Sequence, residues 1–147
     1  MPDHPFRIRP AETADIPAVL ALWEASRSAH ATARDTPEAI ARLLDAAPGA
    51  LIVALDDEGA TIGALIAAWD GWRGSMYRLA VAPGHRRRGV ARALVAAGEC
   101  RLRDVGARRI TALVAHDDDV ATALWTPAGY AFDREIGRFV RSLGPAG

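Results

Sequence analysis

The chain has 147 residues, half of them apolar, and its 18 basic and 18 acidic side chains balance to a formal net charge of zero. That length suits one domain spanning residues 1–147 with a core that needs no covalent staples, and the charge balance weighs against a general nucleic-acid binder. The single Cys100 leaves no internal disulfide framework, no secretory leader is expected from the first ten residues, and no apolar run nears the ~20 residues of a membrane span, so a reducing, cytoplasmic setting is expected.

Residues 6–9 alternate apolar and basic and read as a short half-buried strand closed by Pro10. Ile16, Val19, Leu20 and Trp23 then recur at helical spacing, predicting an amphipathic helix to about Ser28. Thr36-Pro37-Glu38 has the makings of a second helix start, with a capping hydroxyl, a proline at the first position and an acid at the positive end of the dipole; Pro48-Gly49 stops it. Residues 51–55 form a buried strand, Asp57-Glu58-Gly59 a turn, and 61–68 the returning strand. After the turn-rich 70–74, residues 76–81 read as a third strand with Tyr77, Leu79 and Val81 on one face. A long helix is expected over 89–105 with Gly106 as its stop, then a strand at 110–114, a helix at 119–128 ended by Gly129, and two last strands at 130–132 and 136–143. The order β-α-α-β-β-β-α-β-α-β-β describes an α/β fold (a mixed α+β sheet) with helices on its faces.

One junction stands out. A strand ends at Leu79-Ala80-Val81, a loop with Arg86, Arg87 and Arg88 follows, and Gly89 opens the long helix through Val90, Ala91 and Arg92. The first turn of a helix carries N–H groups with no internal partner and the positive end of the macrodipole, which together suit a phosphate. Gly89 and Ala91 keep bulk away from a ligand that must approach the main chain, and the arginines add charge.

Arg86-Arg87-Arg88-Gly89-Val90-Ala91 resembles the acetyl-coenzyme A signature of the GNAT superfamily of N-acetyltransferases, Gln/Arg-x-x-Gly-x-Gly/Ala. The segment Ala121-x-x-Leu124-Trp125-x-x-x-Gly129-Tyr130 resembles the family's closing motif, and the likeness, strongest over residues 51–132, is greatest to small stand-alone bacterial members of the RimI-like and YpeA-like kind. The resemblance implies the acyl-CoA N-acyltransferase fold and acetyl-CoA as co-substrate without a metal. It implies that the main chain of Leu79, Ala80 and Val81 holds the pantetheine arm as an added strand would. The N–H groups from Arg87 to Arg92 would hold the pyrophosphate, and an N–H near Leu79 or Ala80 would steady the oxyanion formed on attack. The family's sheet opens like a V beside that strand, and its members often form homodimers.

The chain departs from the family at three places. Asp118 stands where an Asn is common, Trp125 where many members have an acidic Tyr, and Leu113 where RimI-like enzymes have a basic Glu. An indole N–H cannot serve as the acid, so Trp125 is expected to be a wall of the thioester pocket. Asp70 is the first candidate base, His116 the second, and Tyr77 a possible relay through water; each also has a structural reading, as turn former, helix-entry residue and core aromatic. Asp117, Asp118 and Asp119 suit cap and dipole partners better than a metal, and Cys100 is expected to pack. A GNAT-like module that binds coenzyme A or an amine without turnover is the alternative to catalysis, and nucleic-acid contact through the arginines is a weaker third. The acceptor, a small-molecule amine, a protein N-terminus or a lysine, is not named by any residue.

Overall fold

A computed structural model describes residues 6–26, 35–114 and 123–144. They contain a five-stranded sheet whose strands lie side by side in sequence order: β1 (Phe6–Pro10), β2 (Leu51–Asp56), β3 (Thr61–Trp69), β4 (Gly74–Val81) and β5 (Ile110–Ala112). The first four pair antiparallel, and β5 pairs parallel to β4. A parallel pair needs a crossover, supplied here by helix α3 (Val90–Asp104).

Two helices, α1 (Ile16–Ala25) and α2 (Pro37–Ala46), cover one face of the sheet, and α3 covers the other. Leu51, Val53 and Leu55 of β2 pack toward α1 and α2, while Ile52 and Ala54 pack toward α3. Burial on both faces is why residues 51–55 read as an unbroken apolar run rather than an alternating one. The start of α2 follows the sequence expectation: Thr36 Oγ1 accepts the N–H of Ala39 at 3.1 Å, with Pro37 in the first turn.

Ahead of α1, a 3-10 turn at Thr13–Asp15 is tied to β1 by Arg9. Asp15 is buried and receives Arg9 through two bonds of 2.7 and 3.0 Å, and it also accepts the Glu12 N–H at 2.7 Å. The Arg9 hydrogen bond is the main reason the Asp15 carboxyl lies below its ordinary range. A lowered folded-state pKa adds stability above the unfolded value near ~4, and that stability is lost as pH falls through the folded value. Asp15→Ala is therefore expected to cost about 1–3 kcal/mol at pH 7. The penalty should shrink below about pH 4, as read by urea melts of both proteins across pH 3–7.

Three expectations need correction. Tyr77 does not share a face with Leu79 and Val81: it packs with the α1-side cluster, and they pack with the α3-side cluster. The cause is a bulge. Ala64 pairs with Ala80, yet Ile66 pairs with Tyr77, so β4 spends one extra residue opposite Leu65 and its alternation flips. The last two strands do not form either. Residues 130–144 lie outside the sheet, where Asp133 Oδ1 takes the Glu135 N–H at 3.0 Å in a local turn that competes with pairing, and Phe139 and Val140 are exposed. Cys100 is exposed rather than packed. Of the expected helix at 119–128, residues 123–125 are helical, turn follows, and Gly129 takes a left-handed φ of 97°.

Candidate functional site

The site grows from what happens to β4 beyond its midpoint. Its ladder with β5 covers Gly74, Ser75 and Met76, extended by the Leu113 N–H donating to the Met76 carbonyl at 3.0 Å. Among the described residues it goes no further, while β4 itself continues to Val81 against β3. Among the described residues the two strands thus part after Met76, leaving the edge of β4 at residues 79–81 without a strand beside it.

Which main-chain groups face that opening follows from the ladder on the other side. The Ala82 N–H donates to the Ile62 carbonyl at 2.8 Å, and Ala80 is two residues back in the same register opposite Ala64. Ala80 and Ala82 therefore turn their peptide groups toward β3, and strand alternation turns the Leu79 carbonyl and both main-chain groups of Val81 toward the opening, while the Leu79 N–H lies inside the bulge. The Val81 carbonyl is reached from outside the strand by Arg86 Nε, at a long 3.4 Å.

From Val81 the chain passes a short 3-10 turn at Pro83–His85 and enters α3. Arg87 and Gly89 both take left-handed φ values, 63° and 83°, on either side of Arg88. Such turns curl successive N–H groups into an anion-binding concavity. The capping position, Gly89, offers no side chain, and the first helical bond returns from Ala93 to the Gly89 carbonyl at 3.0 Å. The N–H groups of Val90, Ala91 and Arg92 therefore have no partner within the helix. Gly89 is glycine for its φ: a Cβ there would meet nothing within 4 Å.

Arg86, Arg87, Arg88 and Arg92 are all exposed around this turn. Arg88 also borders a cleft of about 260 Å³ with His85, Phe6, Asp56, Asp57 and Glu58. That cleft is acidic and unsuited to a phosphate.

The candidate proton carriers fare unequally. Asp70 sits in the β3–β4 hairpin, where Oδ1 accepts the N–H groups of Arg73 and Trp72 at 2.6 and 2.7 Å. Those bonds, Arg73's first, pull its carboxyl below the ordinary range. It also precedes Gly74, at the paired end of β4 and far from the open edge. The geometry gives Asp70 the role of a turn former. Of the flanking tryptophans, Trp69 is half-buried against the α3-side cluster and Trp72 is exposed. Tyr77 is half-buried on the α1 side, one residue before the bulge. His116 and Asp118, like Asp117 and Asp119, lie outside the described residues.

Trp125 is buried in the cluster that also takes Leu79 and Val81, and it meets Tyr130 edge-on with ring centres 4.9 Å apart. Burial first, and then Glu99, push the Tyr130 hydroxyl up to about 12, so it stays protonated across the working pH range. Two further residues escaped the sequence reading. Trp23 of α1 donates its Nε1–H to the Arg78 carbonyl at 3.0 Å, and the Arg78 guanidinium lies 5.0 Å over the same indole. Nothing in the alternation of residues 76–81 signals a bulge, and Trp23 reads only as a core position.

Comparison with known proteins converges on one group. The model of the Acetyltransferase (GNAT) family matches residues 16–130. An acetyltransferase of Pectobacterium atrosepticum is 34% identical over 117 residues, covering 79% of this chain and 81% of that protein. Among solved structures, Ard1 from Thermoplasma volcanium superposes with a TM-score of 0.78 at 22% identity over 88% of this chain and 84% of its own. An aminoglycoside acetyltransferase from an uncultured soil metagenome, in complex with sisomicin, gives 0.75 at 20% identity over 97% and 99%.

Proposed function

Because the chain belongs to the GNAT family and is an acetyl-CoA-dependent N-acetyltransferase, we propose that it holds the donor along the open edge of β4 and transfers the acetyl group directly to a primary amine in a ternary complex. The observation that carries this reading is the continuity of the two halves of the site. The strand whose edge opens after Met76 leads, through one short turn, into the left-handed turn at the head of α3. A pantetheine arm needs a strand edge and a pyrophosphate needs an N–H concavity, in that order along the chain.

Acetyl-CoA supplies an activated acetyl thioester. The protein's part is to bind it and orient it. Leu79 and Val81 offer main-chain groups to the amides of the arm, and the Arg86 contact to Val81, being long, is readily exchanged. The N–H groups from Arg87 to Arg92 receive the pyrophosphate, with Arg86, Arg87 and Arg92 adding charge. The Leu79 N–H is the donor for the carbonyl oxygen as negative charge develops on it. Trp125 closes the pocket beside Leu79 and Val81 as an apolar wall.

As the amine attacks, its nitrogen bonds to the carbonyl carbon, the carbon–sulfur bond breaks, and the amine's surplus proton passes to water. A thiol of pKa ~8.5 is an adequate leaving group as the thiolate, so an enzyme acid is dispensable, which agrees with Trp125 in the usual acid's place. Of the base candidates, Tyr77 is retained as a relay through water and His116 as a second carrier, while Asp70 is set aside by its turn. With so little proton machinery the acceptor must arrive neutral. That favours amines of pKa near ~8, such as an α-amino group or an amine of lowered basicity on a small molecule, over lysine near ~10.4.

Coenzyme A release assayed with small polyamines, peptide N-termini and peptide lysines tests this reading. The expected result is faster turnover for the less basic amines, with kcat/KM rising tenfold per pH unit up to each amine's own pKa. A plateau at one fixed pH for every acceptor would assign the proton to an enzyme base instead.

A further inference from the structure

The bulge in β4 places Arg78, not a glycine, at φ 59°. A side chain in that conformation persists only when its surroundings hold it there. Contacts among the described residues do so here. The Trp23 indole N–H donates to the Arg78 carbonyl at 3.0 Å, the Arg78 guanidinium stacks 5.0 Å above the same ring, and the guanidinium pairs with Asp35, just before the cap of α2. Trp23 is itself 5% exposed, seated among Val19, Leu22 and Ala80, so the indole is a fixed post rather than a surface group.

The Arg78 carbonyl and the Leu79 N–H belong to one peptide unit. That unit is planar and trans, so its N–H points opposite to its C=O. Fixing the oxygen on Trp23 therefore fixes the direction of the Leu79 N–H, away from α1.

We propose that Trp23 and Arg78 are positioning residues for catalysis: together they lock the 78–79 peptide so that the Leu79 N–H meets the thioester carbonyl without reorganising. This rests on the placement of the donor proposed above. Preorganised donors act where charge develops in the transition state, so losing the lock should slow the chemical step and spare ground-state binding. A residue that merely supported the fold would lower stability, binding and rate together.

The test uses Trp23→Phe, which keeps an aromatic ring and removes the N–H, and Arg78→Met, which keeps the carbonyl and removes the stacking and the ion pair. Each is checked for folding by thermal melt. The readouts are kcat, the Kd for coenzyme A, and the carbonyl carbon-13 resonance of bound acetyl-CoA labelled at that carbon. For Trp23→Phe the expected result is a kcat about tenfold lower, the size of one lost hydrogen bond, with Kd changed less than about twofold and the resonance moved toward its position in free solution. Arg78→Met should move the same readouts in the same direction, and it decides the matter alone should Trp23→Phe not fold. A folded variant that keeps both kcat and the resonance, or that loses Kd and kcat in equal measure, overturns the proposal. A parent protein that binds no coenzyme A would instead overturn the donor site itself.

Discussion

Replacing Gly89 by valine is expected to weaken coenzyme A binding by at least about tenfold while leaving the protein folded, as measured by calorimetric titration beside a thermal melt. Gly89 is the capping residue of α3 at φ 83°, ψ 5°, a conformation that a β-branched side chain enters at a cost of about 1–2 kcal/mol. There is room for the added atoms, since a Cβ would meet nothing within 4 Å, so the fold is not broken by a clash. The strain would instead be relieved by rotating the turn, which swings the N–H groups at the head of α3 off their common focus. A fall in melting temperature of about 2–8 °C is expected for a domain of this size. Unchanged affinity in a folded valine variant would mean that the turn does not hold the pyrophosphate.

The largest effect on stability is expected from Leu94→Ala. Leu94 is fully buried in α3 and presses on β3 where Gly63 leaves space: a Cβ on Gly63 would come within 2.9 Å of the leucine's Cδ1. One turn further, a Cβ on Gly98 would lie 2.7 Å from the Met76 sulfur. The helix thus sits on the sheet through two glycine-width approaches, with Leu94 wedged beside the first. Removing three buried carbons at such a tight contact costs about 2–5 kcal/mol, because so little around it can close the cavity. Against a typical total of about 5–15 kcal/mol, a fall in melting temperature on the order of 5–15 °C should follow. Because α3 carries the proposed phosphate turn, coenzyme A should also restore part of the loss by mass action, rising with the logarithm of its concentration above Kd.

The sequence was most informative where one element's period decides its fate. The run 51–55, the Thr36-Pro37 start and the Gly89 entry to α3 each carry a local physical reason that needs no knowledge of neighbours, and each stands in the structure. The bulge at Arg78 was not legible. It is a mismatch between two strands, and Tyr77-Arg78-Leu79 alternates as plausibly as any other triplet. The consequences were hidden with it: the face of Tyr77, and the part played by Trp23, whose partner is 55 residues away. Asp70 stayed ambiguous for a different reason. A carboxylate beside glycine is equally suited to a turn or to catalysis, and only the two N–H groups arriving at Oδ1 separate them. The apolar residues near the end, Ile136, Phe139 and Val140 among them, have strand chemistry, but pairing depends on a neighbouring edge, and β5 offers three residues.

Amide chemical shifts read during titration of the protein with coenzyme A report directly where the donor lies. The largest changes are expected on Leu79, Val81 and the amides from Arg87 to Arg92, with little change at Asp56, Asp57 and Glu58 in the acidic cleft. Perturbation centred on that cleft, or none at the β4 edge at saturating ligand, would contradict that placement.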